Sequence, residues 1–228
     1  MDSAYNWWDS LNKDMADLGC YCSQADPSVC SRHVNGEVTI TSTYTDNMTR
    51  VSSSTEEADR AKEELERTYE MKDLGKAGLV LGIKIERNRK AGMLSISQRA
   101  YLEWVLEKYG MADCAPKTNL LPLSISLNKA QVPTTSKEHH FMADKLYCKV
   151  LGLIMYAQVT TCPDLFYMVS TLSKYSSNPS KPHWNALMHV LWYIKGMLHY
   201  KITYGGKDHI NLAPVGYVNA DYAGDIDT

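Results

Sequence analysis

The sequence predicts an α+β fold, and three observations carry that prediction. Between Val29 and Ser52, β-rich runs alternate around Asn35-Gly36, a two-residue hairpin signal. Between Ala77 and Ser97, apolar runs of strand length flank Lys90-Ala91-Gly92. Beyond a proline-bearing stretch from Cys114 to Ser136, apolar residues recur at helical spacing through three successive segments.

The first element is a helix. Trp8, Leu11, Met15 and Leu18 recur at three- and four-residue steps from Tyr5 to Leu18, and Gly19 is placed to end it. Val29 to His33 reads as a strand. In Glu37 to Tyr44, Val38, Ile40 and Ser42 alternate with Thr39, Thr41 and Thr43, and Met48 to Ser52 is its return strand across Asp46-Asn47. Ser54 with Glu57 three residues on makes a capping box for a polar helix over Glu56 to Tyr69. Ala77 to Arg87 reads as one strand and Met93 to Ser97 as its partner. Gln98 to Tyr109 is a helix ending at Gly110, and Cys114 to Ser136 is a linker or long loop. Leu146 to Thr161, Asp164 to Ser176 and Pro182 to Leu198 are helices, with Pro182 suited to a first turn. Lys201 to Tyr204 and Val215 to Asn219 return to strand character.

Composition narrows the class. Of the 228 residues 44% are hydrophobic and 22% charged, with a net charge of -2, the balance of an ordinary globular chain. A free-standing nucleic-acid binder is usually basic, so only a local basic groove is compatible with that role. There is no run of eighteen apolar residues and no basic n-region before an apolar one, so neither a membrane span nor a signal peptide is expected, and the expected setting is intracellular. In such a setting the six cysteines are expected to be reduced thiols. Cys20, Cys22 and Cys30 lack the paired CxxC spacing and the fourth ligand of a zinc site.

Chemistry concentrates in few places. An acidic turn between two strands is how polymerase palms present metal-binding carboxylates. Two adjacent carboxylates and a third from a neighbouring strand hold two Mg²⁺ ions, one activating the primer hydroxyl and one steadying the leaving pyrophosphate. Tyr44-Thr45-Asp46-Asn47 has that setting. Asp and Asn are also common turn residues, so the tetrapeptide alone reads first as a surface turn. Trp7 and Trp8 read as helix packing rather than as a base-stacking platform. His139-His140 reads as a solvated helix start, since no partner ligands cluster with it. The basic residues of Lys84 to Lys90 read as a solvated strand end.

The order of short blocks is more specific than any one of them. Y-N-W-W-D-S-L (Tyr5 to Leu11), S-Q-A-D-P-S-V (Ser23 to Val29), Y-T-D-N (Tyr44 to Asn47), E-M-K-D-L-G (Glu70 to Gly75) and V-L-G-I-K-I-E-R (Val80 to Arg87) come first. Y-G-M-A-D-C (Tyr109 to Cys114), L-G-L-I-M-Y-A (Leu151 to Ala157), S-N-P-S-K-P-H-W-N-A (Ser177 to Ala186) and G-Y-V-N-A-D-Y-A-G-D (Gly216 to Asp225) follow. In this order and spacing the chain resembles a copia-type retrotransposon reverse transcriptase, nearly end to end. The resemblance implies a partial polymerase palm over residues 1–90, a helix-rich thumb and connection region over 91–205 and the start of an RNase H domain over 206–228. It implies Mg²⁺ as cofactor and an RNA or DNA template–primer as partner. Asp46 corresponds to a metal-binding catalytic aspartate, Leu81-Gly82 to the primer-grip turn and Lys72 to a palm lysine near the incoming nucleotide.

The departures from the family pattern matter as much. Asn47 stands where the family has its second hairpin aspartate, and Asn219 aligns with the first catalytic aspartate of RNase H. The family's other palm aspartate is expected upstream of Tyr5. Cys162 and Trp192 occupy positions where the family usually has arginine. Asp to Asn, Arg to Cys and Arg to Trp are each one transition apart, the pattern expected of a silenced, deaminating transposon copy. The expectation is therefore a fragment of a retrotransposon polyprotein reverse transcriptase that is catalytically inactive as this chain, with a non-catalytic remnant or a domesticated nucleic-acid- or protein-binding module as the alternative. A palm without its neighbouring strands is also expected to self-associate through an exposed sheet edge.

Overall fold

The computed structural model describes residues 2–121, 126–206 and 215–218. These fall into two compact units that divide between Ala77 and Gly78.

The first unit opens with α1 (Asp2–Asp17), which buries Leu11 and Met15. Gly19, at φ 75°, closes it: Gly19 N–H donates to Ala16 O and Cys20 N–H to Met15 O, the paired bonds of a Schellman end. Four antiparallel strands follow in spatial order: β1 (Tyr21–Cys22), β2 (Val29–Val34), β3 (Glu37–Tyr44) and β4 (Asn47–Ser52). Asn35 and Gly36 both have positive φ, 52° and 83°, as the tight turn between β2 and β3 requires. Helix α2 (Thr55–Thr68) then crosses the sheet. Ser54 caps it by accepting from Glu57 N–H at 3.2 Å.

The face that α2 covers is polar. Thr39, Thr41 and Arg32 are buried on it, and Arg50 Nε donates to Thr41 Oγ1 at 3.3 Å. Arg32 Nε lies 3.4 Å from Glu57 Oε1, and its guanidinium also bonds Glu64. Arg60 reaches the other Glu57 oxygen at 3.1 Å. Partnership raises the Arg32 pKa, chiefly through the Glu64 hydrogen bond, and the same bond lowers Glu64. Burial lowers Arg50. The apolar contribution is small: Leu11, Met15, Cys30 and Leu65, with Leu18 and Tyr69 at the margin. Ile40 and Val51 point the other way and are 45% and 60% exposed. Trp7 packs edge-on against Tyr69 at 5.5 Å, as the helix-packing reading requires, although Trp7 and Trp8 both keep an exposed edge.

One expectation about cysteine is corrected here. Cys22 and Cys30 are direct cross-strand partners of β1 and β2 and form a disulfide, so these two are not reduced thiols. Cys20, Cys114, Cys148 and Cys162 are free.

The second unit begins with β5 (Leu79–Val80), β6 (Ile83–Asn88) and β7 (Met93–Ser97). It is completed far along the chain by β8 (Ile202–Gly205), in the antiparallel order β5-β6-β7-β8. The single strand expected over Ala77 to Arg87 is therefore two. Leu81 and Gly82, at φ 51° and 78°, turn the chain between them, and the apolar character of Leu81 hides that turn from a hydropathy reading. Gly205 approaches the neighbouring strand so closely that a Cβ there would meet Gly92 O at 2.0 Å.

Among the described residues of this unit there are five helices, α3 (Arg99–Lys108), α4 (Ser136–Ala143), α5 (Tyr147–Thr160), α6 (Phe166–Ser173) and α7 (Lys181–Met197), and all but α4 bury side chains in the main core. Leu106, Ile154, Leu165, Met168, Leu187 and Ile194 are almost fully buried among them. At roughly 1.5–3 kcal/mol per buried side chain, this cluster dominates the stability of the unit. Asp164 lies in a short 3₁₀ turn before α6, which ends at Ser173 rather than Ser176. Helix α4 is set off by the reciprocal cap of Thr135 and Glu138. The backbone N–H groups of Thr134 and Thr135 pull Glu138 down to a pKa of about 2. Val215–Val218 are exposed and not in a strand, contrary to expectation. No helix among the described residues is long and apolar enough to cross a membrane.

Candidate active site

The turn joining β3 to β4 contains two residues, Thr45 and Asp46, closed by the pair Tyr44 and Asn47. Its position follows from sequence: the Thr-rich strand ends at an aromatic residue, and Asp and Asn favour the reversal. All four residues are exposed. Thr45 sits at φ 51°, a region in which a β-branched residue is strained. Asp46 therefore stands at the tip of an antiparallel hairpin, as expected, with the neutral amide of Asn47 beside it.

The neighbourhood offers that carboxylate little help. At the same end of the sheet, Thr43 N–H donates to Ser28 O, which brings the Asp26–Ser28 turn alongside. Asp26 Oδ1 is already engaged by the Ser28 hydroxyl at 2.7 Å and the Ser28 N–H at 3.0 Å. These bonds, the hydroxyl's first, hold Asp26 below its ordinary pKa. Among the described residues, no group of three or more His, Cys, Asp or Glu side chains is arranged to hold a metal ion. The donors present at the turn, one carboxylate and one amide, do not fit a two-metal centre.

The remaining candidates are distributed over both units. Lys72 is exposed on the irregular segment that follows α2 in the first unit. Leu81 and Gly82 form the β5–β6 turn of the second unit, and Leu81 O accepts a hydrogen bond from the Tyr156 hydroxyl of α5, which anchors the turn. Asn219 lies outside the described residues. Cys162, where arginine was expected, is buried beside Thr161, and burial raises its thiol pKa. Trp192 packs edge-on against His189, and its carbonyl accepts from Lys117 N–H.

Sequence reasoning missed the disulfide of the first unit. The signal was the Asp26-Pro27 reversal, which folds the chain between Cys22 and Cys30, eight positions apart, back on itself.

Comparison with known proteins follows the same line. The family model described as reverse transcriptase (RNA-dependent DNA polymerase) matches residues 1–123. The chain is 36% identical over 98% of its length to the retrovirus-related Pol polyprotein from transposon TNT 1-94 of Nicotiana tabacum, covering 16% of that protein. It is 25% identical over 97% of its length to the retrovirus-related Pol polyprotein from transposon RE2 of Arabidopsis thaliana, covering 14% of it. An uncharacterized mitochondrial protein of Arabidopsis thaliana is 29% identical over 71% of the chain and is covered over 62% of its own length. The chain thus spans only about a sixth of the polyproteins it matches. No solved structure matches.

Proposed function

Because the chain belongs to the reverse transcriptase (RNA-dependent DNA polymerase) family, we propose that it is a degenerate copy that keeps the palm hairpin and has lost polymerisation. The observation that carries this reading is that the turn carboxylate of Asp46 is followed by the neutral amide of Asn47, the first residue of β4. In a working palm, Mg²⁺ neutralises charge on the attacking and leaving oxygens, and that needs anionic ligands side by side. Asn47 keeps the shape of aspartate without its charge. Losing one such ligand removes several kcal/mol of transition-state stabilisation, and each ~1.4 kcal/mol is a factor of ten in rate.

The reading extends to the rest of the chain. Residues 1–90 are a partial palm, 91–205 a thumb and connection region and 206–228 the start of an RNase H domain. Template–primer is the nucleic-acid partner, with Leu81, Gly82 and Lys72 contributing to its binding. A second reading, self-association, is favoured by the free edge of the first sheet. Tyr44 and Asn47 close a two-residue hairpin and so bond to each other. The backbone groups of Met48, Arg50 and Ser52 therefore point away from β3, beside the exposed Ile40 and Val51.

Primer extension on a primed RNA template in Mg²⁺ or Mn²⁺ tests the main reading. The chain and its Asp46→Ala variant are expected to give the same background. Incorporation by the chain that Asp46→Ala abolishes would return it to the active enzymes.

A further inference from the structure

The charge of the chain is unevenly divided. Residues 1–77 hold 8 Lys and Arg against 15 Asp and Glu, whereas residues 78–228 hold 16 against 11. The near-neutral total therefore conceals a basic second unit. Within it, a cavity of about 380 Å³ opens at the end of the sheet and is lined by Arg87, Arg89, Leu94 and Tyr204 among others. That volume is in the range of small-ligand sites.

The register builds this cleft. Arg87 pairs with Leu94, and Leu94 with Tyr204, so the three form one cross-strand row on one face of the sheet. Two strand spacings, about 10 Å, separate the backbone positions of Arg87 and Tyr204. Glu86 is the one carboxylate in β5–β8, and it belongs to the opposite face. It is also held by Lys84 at 2.8 Å and Lys201 at 3.2 Å, whose bonds lower its pKa, Lys84 first. No described carboxylate pairs with Arg87 or Arg89, both exposed, and none lines the cavity. Tyr204 is 55% exposed, leaving a flat aromatic surface beside two planar, permanently charged forks.

We propose that this cleft is a binding site for single-stranded nucleic acid, in which Arg87 and Arg89 grip backbone phosphates and a base stacks on Tyr204. Guanidinium forks match phosphate oxygens two at a time, and base–aromatic stacking is indifferent to sequence. The inference rests on the nucleic-acid partner of the proposed function and adds a site that needs neither Asp46 nor a metal.

The test uses the full chain with fluorescein-labelled oligo(dT) of fifteen nucleotides, followed by anisotropy from 50 to 200 mM NaCl. A labelled poly-glutamate of equal charge runs in parallel. The chain is expected to bind oligo(dT) at least tenfold more tightly than poly-glutamate. Arg87→Gln with Arg89→Gln should weaken oligo(dT) binding tenfold or more. It should also flatten the log–log salt slope by about 1.4, since each phosphate contact on a single strand contributes roughly 0.7. Tyr204→Ala should cost about fivefold or more, while Tyr204→Phe and the control Lys137→Gln stay at the parent value. Circular dichroism melts of the variants establish that they fold. Parent-like affinity and slope in the double arginine variant would overturn the site and leave the nucleic-acid partner standing. No oligo(dT) binding by the parent at 50 mM NaCl would overturn both, and equal affinity for poly-glutamate would make the cleft a general polyanion or acidic-peptide site.

Discussion

Replacing Arg32 with methionine tests what holds the first unit together. The substitution keeps most of the apolar stem and removes the charge from between α2 and the sheet. Glu57 is 4% exposed, and its Oε1 is buried without a hydrogen bond. The Arg32 guanidinium 3.4 Å away is therefore its main compensation. Removing one partner of a buried pair typically costs about 3–5 kcal/mol. The lower end applies here, because Arg60 still reaches the other Glu57 oxygen and Glu64 is partly solvated. A loss of about 3 kcal/mol is a change of roughly two orders of magnitude in an opening equilibrium. Hydrogen exchange of the β2, β3 and β4 amides, followed by mass spectrometry, reads that change in this unit alone. The triple variant Arg32→Met, Glu57→Gln, Glu64→Gln should recover most of the protection, because no uncompensated charge remains. The pH dependence follows in sign. The folded state lowers the Glu64 pKa, so its contribution is present above the unfolded carboxylate value and is lost as pH falls through the folded one. Unchanged exchange in Arg32→Met, or a triple variant as unprotected as the single, would refute the polar-seam account.

Other substitutions probe particular joints. Gly205→Ala should cost more than about 2 kcal/mol and strip protection from β8, because its Cβ would meet Gly92 O at 2.0 Å with φ at 83°; a parent-like melt contradicts the close approach. Thr45→Gly should stabilise the first unit by about 0.5–1 kcal/mol by relieving the positive φ, read as slower β3–β4 exchange, and a destabilised variant would show that the turn is not strained. Cys22→Ser should cost about 2–3 kcal/mol in oxidising buffer and almost nothing in reductant; thiol titration of the unfolded, unreduced parent should find the four free cysteines rather than six.

Much of the architecture was legible because local chemistry dictated it. Asn35-Gly36 placed one hairpin, the Ser54 cap started α2 at the right turn, and Asp46 fell at a reversal as turn propensity required. What was not legible has physical causes. The alternation of Val38 and Ile40 against Thr39 and Thr41 gives the period of β3 but not which face is covered. The threonines lie under α2 because Arg32 brings the carboxylates Glu57 and Glu64 of α2 onto that face, leaving Ile40 in solvent. Leu81 concealed a turn because an apolar residue there looks like strand continuation. The row Arg87–Leu94–Tyr204 depends on β8, more than a hundred residues along the chain from β6, and no local pattern announces that pairing.

The most direct test of the central claim is single-turnover incorporation of one nucleotide, with the chain in large excess over a primed RNA template and Mn²⁺ present. Enzyme excess removes weak binding as an explanation and leaves only the chemistry at the β3–β4 turn. No product above the Asp46→Ala background is predicted for the chain, even at concentrations where the template is fully bound. A first-order burst of extended primer that depends on Asp46 would contradict the account, since it would mean that a single carboxylate beside Asn47 is enough.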